Sequence, residues 1–337
     1  MSSREEVDRI KEKYKGYLLG SEGVTGVGGN GSIKIYVDPK ITPRALSALP
    51  SKLDGVPVII VKGKARILGI ASVPVAASIY GYRVTRVRPV PGGVSIGRKE
   101  ATGTLMCKGI DVKTGEPVGI TNNHVAALHW GERQDGNIGD KIAQPGCADG
   151  GSVVEDAIGE LDGWIPVELN KSNLVDCARF KSPLLSELVE EVGRPLEVVE
   201  PAEGRRIVVS SRTGLKFSSI IDVNASLMVE GWGDCLFENC VVAQPGVLVP
   251  GDSGSWAGDA DTYRSTALGF AGSEDISVFC RASLVEDGLG VKLIPPVSES
   301  TLNNYKAYLG IAATLLTAGG LLYSSLGKRK RGEGIAV

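Results

Sequence analysis

Histidine is nearly absent from this 337-residue sequence, which has two, and none of its six cysteines falls in a C-x-x-C pair. Zinc sites draw on clustered thiolates and imidazoles, so no metal is expected, and no cofactor either. Phenylalanine is also scarce, with five against forty-five glycines, a balance that suits short strands and many tight turns. Met1 to Lys15 is polar and alternates in charge, without the apolar core of a secretory signal. Basic charge is short across residues 86–300, which carry 19 Lys/Arg against 31 Asp/Glu. Such a region repels a phosphate backbone, so no nucleic-acid partner is expected. Residues 1–85 have the opposite balance, 13 against 7, and residues 301–337 carry 5 against 1.

What is present begins with a small α/β pattern. Val7, Ile10, Tyr14 and Leu18 recur at helical spacing within Ser3–Leu19. Strands are expected at Val24–Val27, Ser32–Val37 and Val56–Val61, with a short helix from Thr42 to about Leu49 that opens on Pro43. Gly26-Val27-Gly28-Gly29-Asn30-Gly31 matches G-x-G-x-x-G, but a strand follows it where a dinucleotide site needs a helix, so it reads as a hairpin turn. These elements define an N-terminal module, residues 1–85. It either regulates access to the rest of the chain, as its opposite charge suggests, or simply packs against it. From Arg83 to about Pro296, short apolar runs alternate with Gly, Pro and Asp, the pattern of a sandwich or barrel over residues 86–295. Within it, Ser182–Val192 reads as one helix opened by a capping hydroxyl and Pro183. A linker is expected at 296–306. Ala307–Leu326 then offers twenty uncharged residues, long enough to cross a bilayer, and the basic run Lys328–Arg331 falls in a tail, 327–337.

Three segments carry candidate chemistry in fixed order: Thr121-Asn122-Asn123-His124-Val125-Ala126, Asn173-Leu174-Val175-Asp176-Cys177-Ala178 and Pro250-Gly251-Asp252-Ser253-Gly254-Ser255. Acyl transfer by a serine needs a base for the hydroxyl proton, an acid to fix that base, and donors for the oxyanion. His124, at the end of an apolar strand, suits the base. Asp176 lies in the apolar run Leu174–Phe180, where a carboxylate needs a partner such as an imidazole. Ser253 sits in a glycine-rich turn that can expose a nucleophile, and the N–H groups of Gly251 and Ser253 suit an oxyanion hole. The intervals, 52 residues from His124 to Asp176 and 77 from there to Ser253, suit two barrels. The first would supply base and acid, the second the nucleophile.

The three segments resemble the histidine, aspartate and serine motifs of the trypsin-like (chymotrypsin-fold) serine peptidases, over about residues 93–293. Arg88–Gly97 and Ala101–Leu105 further resemble a microbial branch with a small α/β N-terminal domain. The resemblance implies a mainly β chain, a chymotrypsin-like double β-barrel of two six-stranded barrels preceded by that α/β domain. The hydrophobic helix at 307–326 would follow it. Peptide-bond hydrolysis through an acyl-enzyme is implied, with Ser253 as nucleophile, His124 as base, Asp176 as orienting acid, and Gly251 and Ser253 as oxyanion donors. The sequence departs from the family in having no Ile-Val-Gly-Gly start, so insertion of a new N-terminus onto Asp252 is not expected. At the base of the family's specificity pocket stands Val247, with Phe270, Ala271 and Gly272 along its wall, which favours a small or medium apolar side chain over Lys or Arg.

His129, beside Trp130, is expected to be a partly exposed structural residue. Cys235 and Cys240 either bridge a hairpin or remain free thiols. The leading expectation is a serine endopeptidase acting on polypeptides, held at a membrane by one pass at 307–326, its catalytic region facing the cytoplasm. The alternative is a catalytically silent protease-fold protein that binds peptides or scaffolds an assembly at a membrane. Oligomeric state is left open by the sequence.

Overall fold

Ser3 opens the first helix, α1 (Arg4–Leu19), its hydroxyl accepting the N–H of Glu6 at 3.2 Å as an N-cap residue does. The computed structural model describes residues 3–68 and 81–293. Val7, Ile10 and Leu18 of α1 are buried and pack with Val27, Ile33, Ile35 and Val56. Those partners come from β1 (Val24–Gly28), β2 (Ile33–Val37) and, beyond α2 (Pro43–Ala48) and β3 (Lys52–Leu53), from β4 (Val56–Lys62). Gly29 and Gly31 turn β1 back into β2 with φ of +124° and +80°, which a side chain would oppose, so the glycine motif is a hairpin turn. Thr42 caps α2 by accepting the Ala45 N–H at 3.1 Å, with Pro43 in the first turn. The crossover through α2 brings β4 parallel to β2. A three-residue strand, β5 (Ala65–Ile67), ends this region.

The next strands are β6 (Val90–Gly92), β7 (Ser95–Arg98), β8 (Ala101–Thr104), β9 (Cys107–Asp111) and β10 (Pro117–Thr121). After α3 (Asn123–Ala126) come β11 (His129–Trp130), β12 (Arg133–Gln134), β13 (Lys141–Ala143), β14 (Ala157–Trp164), β15 (Ser172–Asn173), β16 (Ala178–Lys181) and β17 (Leu185–Val189). Seven of them form one antiparallel sheet in the order β9-β10-β16-β14-β13-β7-β8. Val94, Ile96, Leu105, Ile142 and Phe180 are fully buried in its core. Ser182–Val192 is not a helix. Leu185–Val189 is the strand β17, parallel to β6, with Leu185 opposite Val90 and Val189 opposite Gly92. The Ser182 hydroxyl, expected to cap a helix, instead donates to the Ile158 carbonyl at 2.5 Å. Long-range pairing overrides the local capping signal.

The remaining strands are β18 (Leu196–Val198), β19 (Arg206–Ser211), β20 (Gly214–Glu230), β21 (Cys235–Gln244), β22 (Trp256–Asp259), β23 (Arg264–Gly272) and β24 (Ser277–Arg281), followed by α4 (Ala282–Leu289) and β25 (Val291–Lys292). Six of them close a ring, β21-β24-β23-β22-β19-β20 and back to β21, which removes the open edges of that sheet. β25 crosses back to extend the first sheet beyond β9. The chain is therefore mainly β, with one closed ring of six strands and, among the described residues, one open run of eight. The N-terminal strands are not a free-standing sheet. β1 pairs antiparallel with β20, Gly26 opposite Leu227 and Val27 opposite Ser226, and β5 lies between β20 and β23.

All six cysteines are free thiols, Cys235 and Cys240 included, both of them on β21. Burial pushes the Cys235 thiol up to about 11 and that of Cys107 to about 12, so neither is a reactive thiolate at neutral pH. The expected linker, membrane span and basic tail lie outside the described residues. Among the described residues, no helix is long and apolar enough to cross a membrane.

Candidate active site

Antiparallel pairing of β10 with β16 sets Thr121 opposite Ala178. The residues just after β10 therefore meet those just before β16. There His124 Nδ1 is hydrogen-bonded to one oxygen of the Asp176 carboxylate, and the other oxygen accepts the His124 N–H at 3.1 Å. Neither residue has any exposed surface. A carboxylate this deeply buried needs its lone pairs taken up, and one ring nitrogen and one backbone donor do so. The Asn122 side-chain amide donates to the Asp176 carbonyl at 2.6 Å, and the Trp130 ring stands edge-on to the imidazole at 6.5 Å. With the carboxylate holding the proton at Nδ1, a neutral His124 has its acceptor at Nε2. That atom is buried and makes no hydrogen bond among the described residues.

Ser253 lies in the turn between β21 and β22, where Gly251 and Gly254 adopt φ of +96° and +91°. A Cβ on Gly254 would come within 2.0 Å of the Thr104 carbonyl, so the turn closes only with glycine there. Its backbone folds on itself, the Asp252 N–H donating to the Val249 carbonyl and the Ser255 N–H to that of Asp252, both at 2.9 Å. The buried Asp252 carboxylate accepts from the Thr213 hydroxyl at 2.6 Å, from the Val249 N–H at 2.9 Å, and from the Lys216 ammonium. Lys216, on β20, thus supplies the positive charge that Asp252 needs from within the chain. Thr104, at the end of β8, ties the turn to the first sheet. Its N–H donates to the Ser253 carbonyl at 2.7 Å and its hydroxyl to that of Gly251 at 2.9 Å.

His124 and Asp176 are joined directly. The Ser253 hydroxyl, also fully buried, points to the Phe270 carbonyl at 3.4 Å, a weak contact, and makes no hydrogen bond to His124. Of the two expected oxyanion donors, the Gly251 N–H is directed at the carbonyl of Leu68, 2.7 Å away. The expected pocket residues divide. Val247 packs against the apolar cluster that holds Leu248, Ile220 and Leu68. Phe270 and Ala271 belong to a different cluster, where Phe270 stacks on Phe237 at 4.9 Å and Phe237 on Trp130 at 5.7 Å. Phe270 therefore offers Ser253 its carbonyl and not its ring. Gly272 lies on β23 opposite Ser277 and, on the other side, opposite Arg66.

Thr213, Lys216 and Leu68 escape a reading of the sequence because none belongs to a motif, while Asn122 and Thr104 stand inside quoted motifs without a role that the sequence assigns them. The one usable signal was Asp252, an acid beside the serine that had to find a cation once an inserted N-terminus was set aside. His129 is half-buried, and its Nδ1 accepts the Trp164 indole N–H at 3.1 Å. Its backbone exchanges two hydrogen bonds with the Asn123 side chain, at 2.7 and 3.0 Å, which fixes the loop that follows His124. Among the described residues, no three His, Cys, Asp or Glu side chains are grouped to hold a metal.

No protein-family model and no curated protein matches this sequence. Solved structures similar to it include protease A of Thermobifida fusca, 14% identical with a TM-score of 0.45, covering 61% of this chain and 98% of that one. The Nocardiopsis protease is 14% identical with a TM-score of 0.44, covering 61% of this chain and 99% of its own. Chymotrypsin of Cellulomonas bogoriensis is 15% identical with a TM-score of 0.42, covering 61% and 98%. The chain is similar to these microbial proteases of the trypsin-like serine peptidase fold.

Proposed function

We propose that this chain is a serine endopeptidase that cleaves polypeptides through an acyl-enzyme. Ser253 is the nucleophile, His124 the general base and then acid, and Asp176 the group that orients His124. The observation that carries this reading is the fully buried His124–Asp176 pair, which leaves Nε2 as the ring's acceptor. In the attack, Nε2 takes the Ser253 hydroxyl proton as Oγ bonds to the substrate carbonyl carbon. The imidazolium is stabilised by Asp176, and the oxyanion by the N–H groups of Gly251 and Ser253, each such donor being worth about 3–4 kcal/mol. Nε2 then protonates the leaving amine, and water repeats the sequence on the ester. The apolar surroundings of Val247 and Leu248 favour an apolar residue before the cut bond. Residues 307–326 are the proposed single-pass anchor, which twenty uncharged residues ahead of a basic run support. Retention of the full chain in membranes after alkaline carbonate washing tests the anchor, and release with the soluble fraction removes it.

The silent-binder alternative draws on two observations, the missing Ser253–His124 hydrogen bond and the full burial of both side chains. Labelling of the full-length protein with a fluorophosphonate, alongside hydrolysis of a mixed peptide library, separates the two. Wild type labels and cleaves, whereas Ser253→Ala and His124→Ala do neither. A folded wild type inert in both assays leaves the silent binder.

A further inference from the structure

The chain's own backbone reaches the turn that carries Ser253. β5 (Ala65–Ile67) runs antiparallel to β23, with Ile67 opposite Ala271 and Arg66 opposite Gly272. One residue further on, the Leu68 carbonyl accepts the N–H of Gly251, two residues before Ser253, at 2.7 Å. The side chains alternate as a strand requires. Ile67 packs against the cluster of Trp130 and Phe270, and Leu68, 6% exposed, sits in the other cluster with Leu248 and Val247. Main-chain pairing supplies affinity in such a mode and alternate side-chain pockets supply selectivity. A carbonyl on an oxyanion donor, in an extended strand paired along the cleft, is the posture in which a serine peptidase holds a bond to be cut.

We propose that Ala65–Leu68 is a substrate held in cis, and that the enzyme cuts its own chain on the carboxyl side of Leu68. The inference rests on Ser253 being the nucleophile. Oγ bonds to the Leu68 carbonyl carbon as its proton passes to His124. The C–N bond after Leu68 then breaks, and the departing amine takes that proton. Water, deprotonated by His124, releases Leu68 as a carboxylate and restores the Ser253 hydroxyl. No other reactant is needed.

The strand is well tethered. Ala65 and Arg66 also pair with Val229 and Glu230 of β20, Arg66 Nε lies 2.5 Å from a Glu230 carboxylate oxygen, and Lys64 is ion-paired to the other. Tethering makes the encounter intramolecular and concentrates this one sequence at the site. It also keeps the new carboxyl end in place after the cut. Since His124, Asp176 and Ser253 have no exposed surface while β5 is seated, a second polypeptide enters only when β5 leaves. Leu68 further identifies the preferred residue before the cut bond as leucine.

Mass spectrometry of the purified full-length chain under denaturing conditions tests this. Two products are expected, residues 1–68 and the remainder, and Ser253→Ala stays intact. Leu68→Asp, which places a charge in the apolar cluster, should slow the cut at least ~100-fold. A measurement independent of that variant's folding is hydrolysis of added peptides, where leucine before the cut bond should be preferred over lysine by ~100-fold or more. A wild type that labels with the fluorophosphonate and cleaves peptides, yet remains intact at Leu68, overturns the inference and spares the proposed function. Cleavage at another bond, or equal cleavage of Ser253→Ala, also overturns it. A folded wild type that neither labels nor cuts removes the proposed function and this inference together.

Discussion

In the first sheet, His124 and Asp176 are set by a β-ladder: once Thr121 lies opposite Ala178, the imidazole and the carboxylate face each other without any further device. In the second, Ser253 rests on a turn between two strands, and its position depends on groups that reach it from elsewhere. Lys216 and Thr213 hold Asp252, Thr104 holds the carbonyls on either side, and the Leu68 carbonyl occupies the Gly251 N–H. A ladder repeats along its length and tolerates the loss of one contact. A turn whose buried carboxylate has a single cationic partner, the half-buried Lys216, has no such repetition. The His124–Asp176 pair is thus set by the ladder of the fold, while the geometry around Ser253, the proposed nucleophile, depends on contacts that single substitutions can remove.

The sharpest way to test the ladder side is Asp176→Asn. The asparagine oxygen can still accept the His124 N–H, but its amide then donates to Nδ1, so the ring proton is forced onto Nε2. Turnover should fall about 10⁴-fold, the size of effect a wrong tautomer produces, with unfolding midpoints close to wild type. Peptide hydrolysis and denaturant titration on the same samples check both halves. A loss of turnover accompanied by collapse of the fold would mean that the pair is needed to build the sheet and not only for the chemistry.

Lys216→Met tests the turn side. It leaves the Asp252 carboxylate buried and without its cation, and removing one partner of a buried pair costs about 3–5 kcal/mol. Denaturant unfolding should show that loss, and fluorophosphonate labelling should slow as the turn relaxes. Combining it with Asp252→Asn removes the uncompensated charge, so the double variant should be more stable than Lys216→Met alone. If Lys216→Met unfolds like wild type, the turn is held by its internal hydrogen bonds and by Thr104, and the contrast between the two sheets disappears.

That contrast also explains what a reader of the sequence can and cannot see. Ser3 and Thr42 announce their helices because capping acts within three residues, and Gly29 and Gly31 announce a hairpin because only glycine accepts their φ. The strand ahead of His124 is legible as a short apolar run, whereas Asp176, read inside the run Leu174–Phe180, stands just before β16 begins at Ala178. Leu185–Val189 misleads because Ser182 and Pro183 give a helix-start signal, while the partner that makes it a strand, Val90–Gly92, lies far upstream, Leu185 pairing with Val90 and Val189 with Gly92. β5 is three residues long, too short for any periodicity, and its place comes from distant partners on β20 and β23. The union of β1 with β20 and the pairing of Lys216 with Asp252 are likewise contacts between distant positions with ordinary side chains. In this chain local chemistry declares the parts, and long-range pairing decides how the surroundings of Ser253 are assembled.

A smaller effect separates the ladder from the turn by pH. Asp111 closes the β9–β10 hairpin, accepting the N–H groups of Lys113 and Thr114 at 2.7 and 2.9 Å, and it pairs with Arg179 of β16 at 2.6 Å. The backbone donors of Thr114 and Lys113, with Arg179 adding to them, hold its carboxyl down at about 2. An unfolded aspartate titrates near 3.9. The folded value lies below the unfolded one, so Asp111 contributes its full share of stability above about pH 4 and loses it as the pH falls toward 2. Unfolding midpoints measured from pH 5 to pH 2 should therefore decline more steeply in wild type than in Asp111→Asn, which has no proton to take up there, while the two curves run parallel above pH 5. Parallel curves throughout would show that the Asp111 carboxylate, with its hairpin donors and Arg179 together, adds no pH-dependent stability to the first sheet.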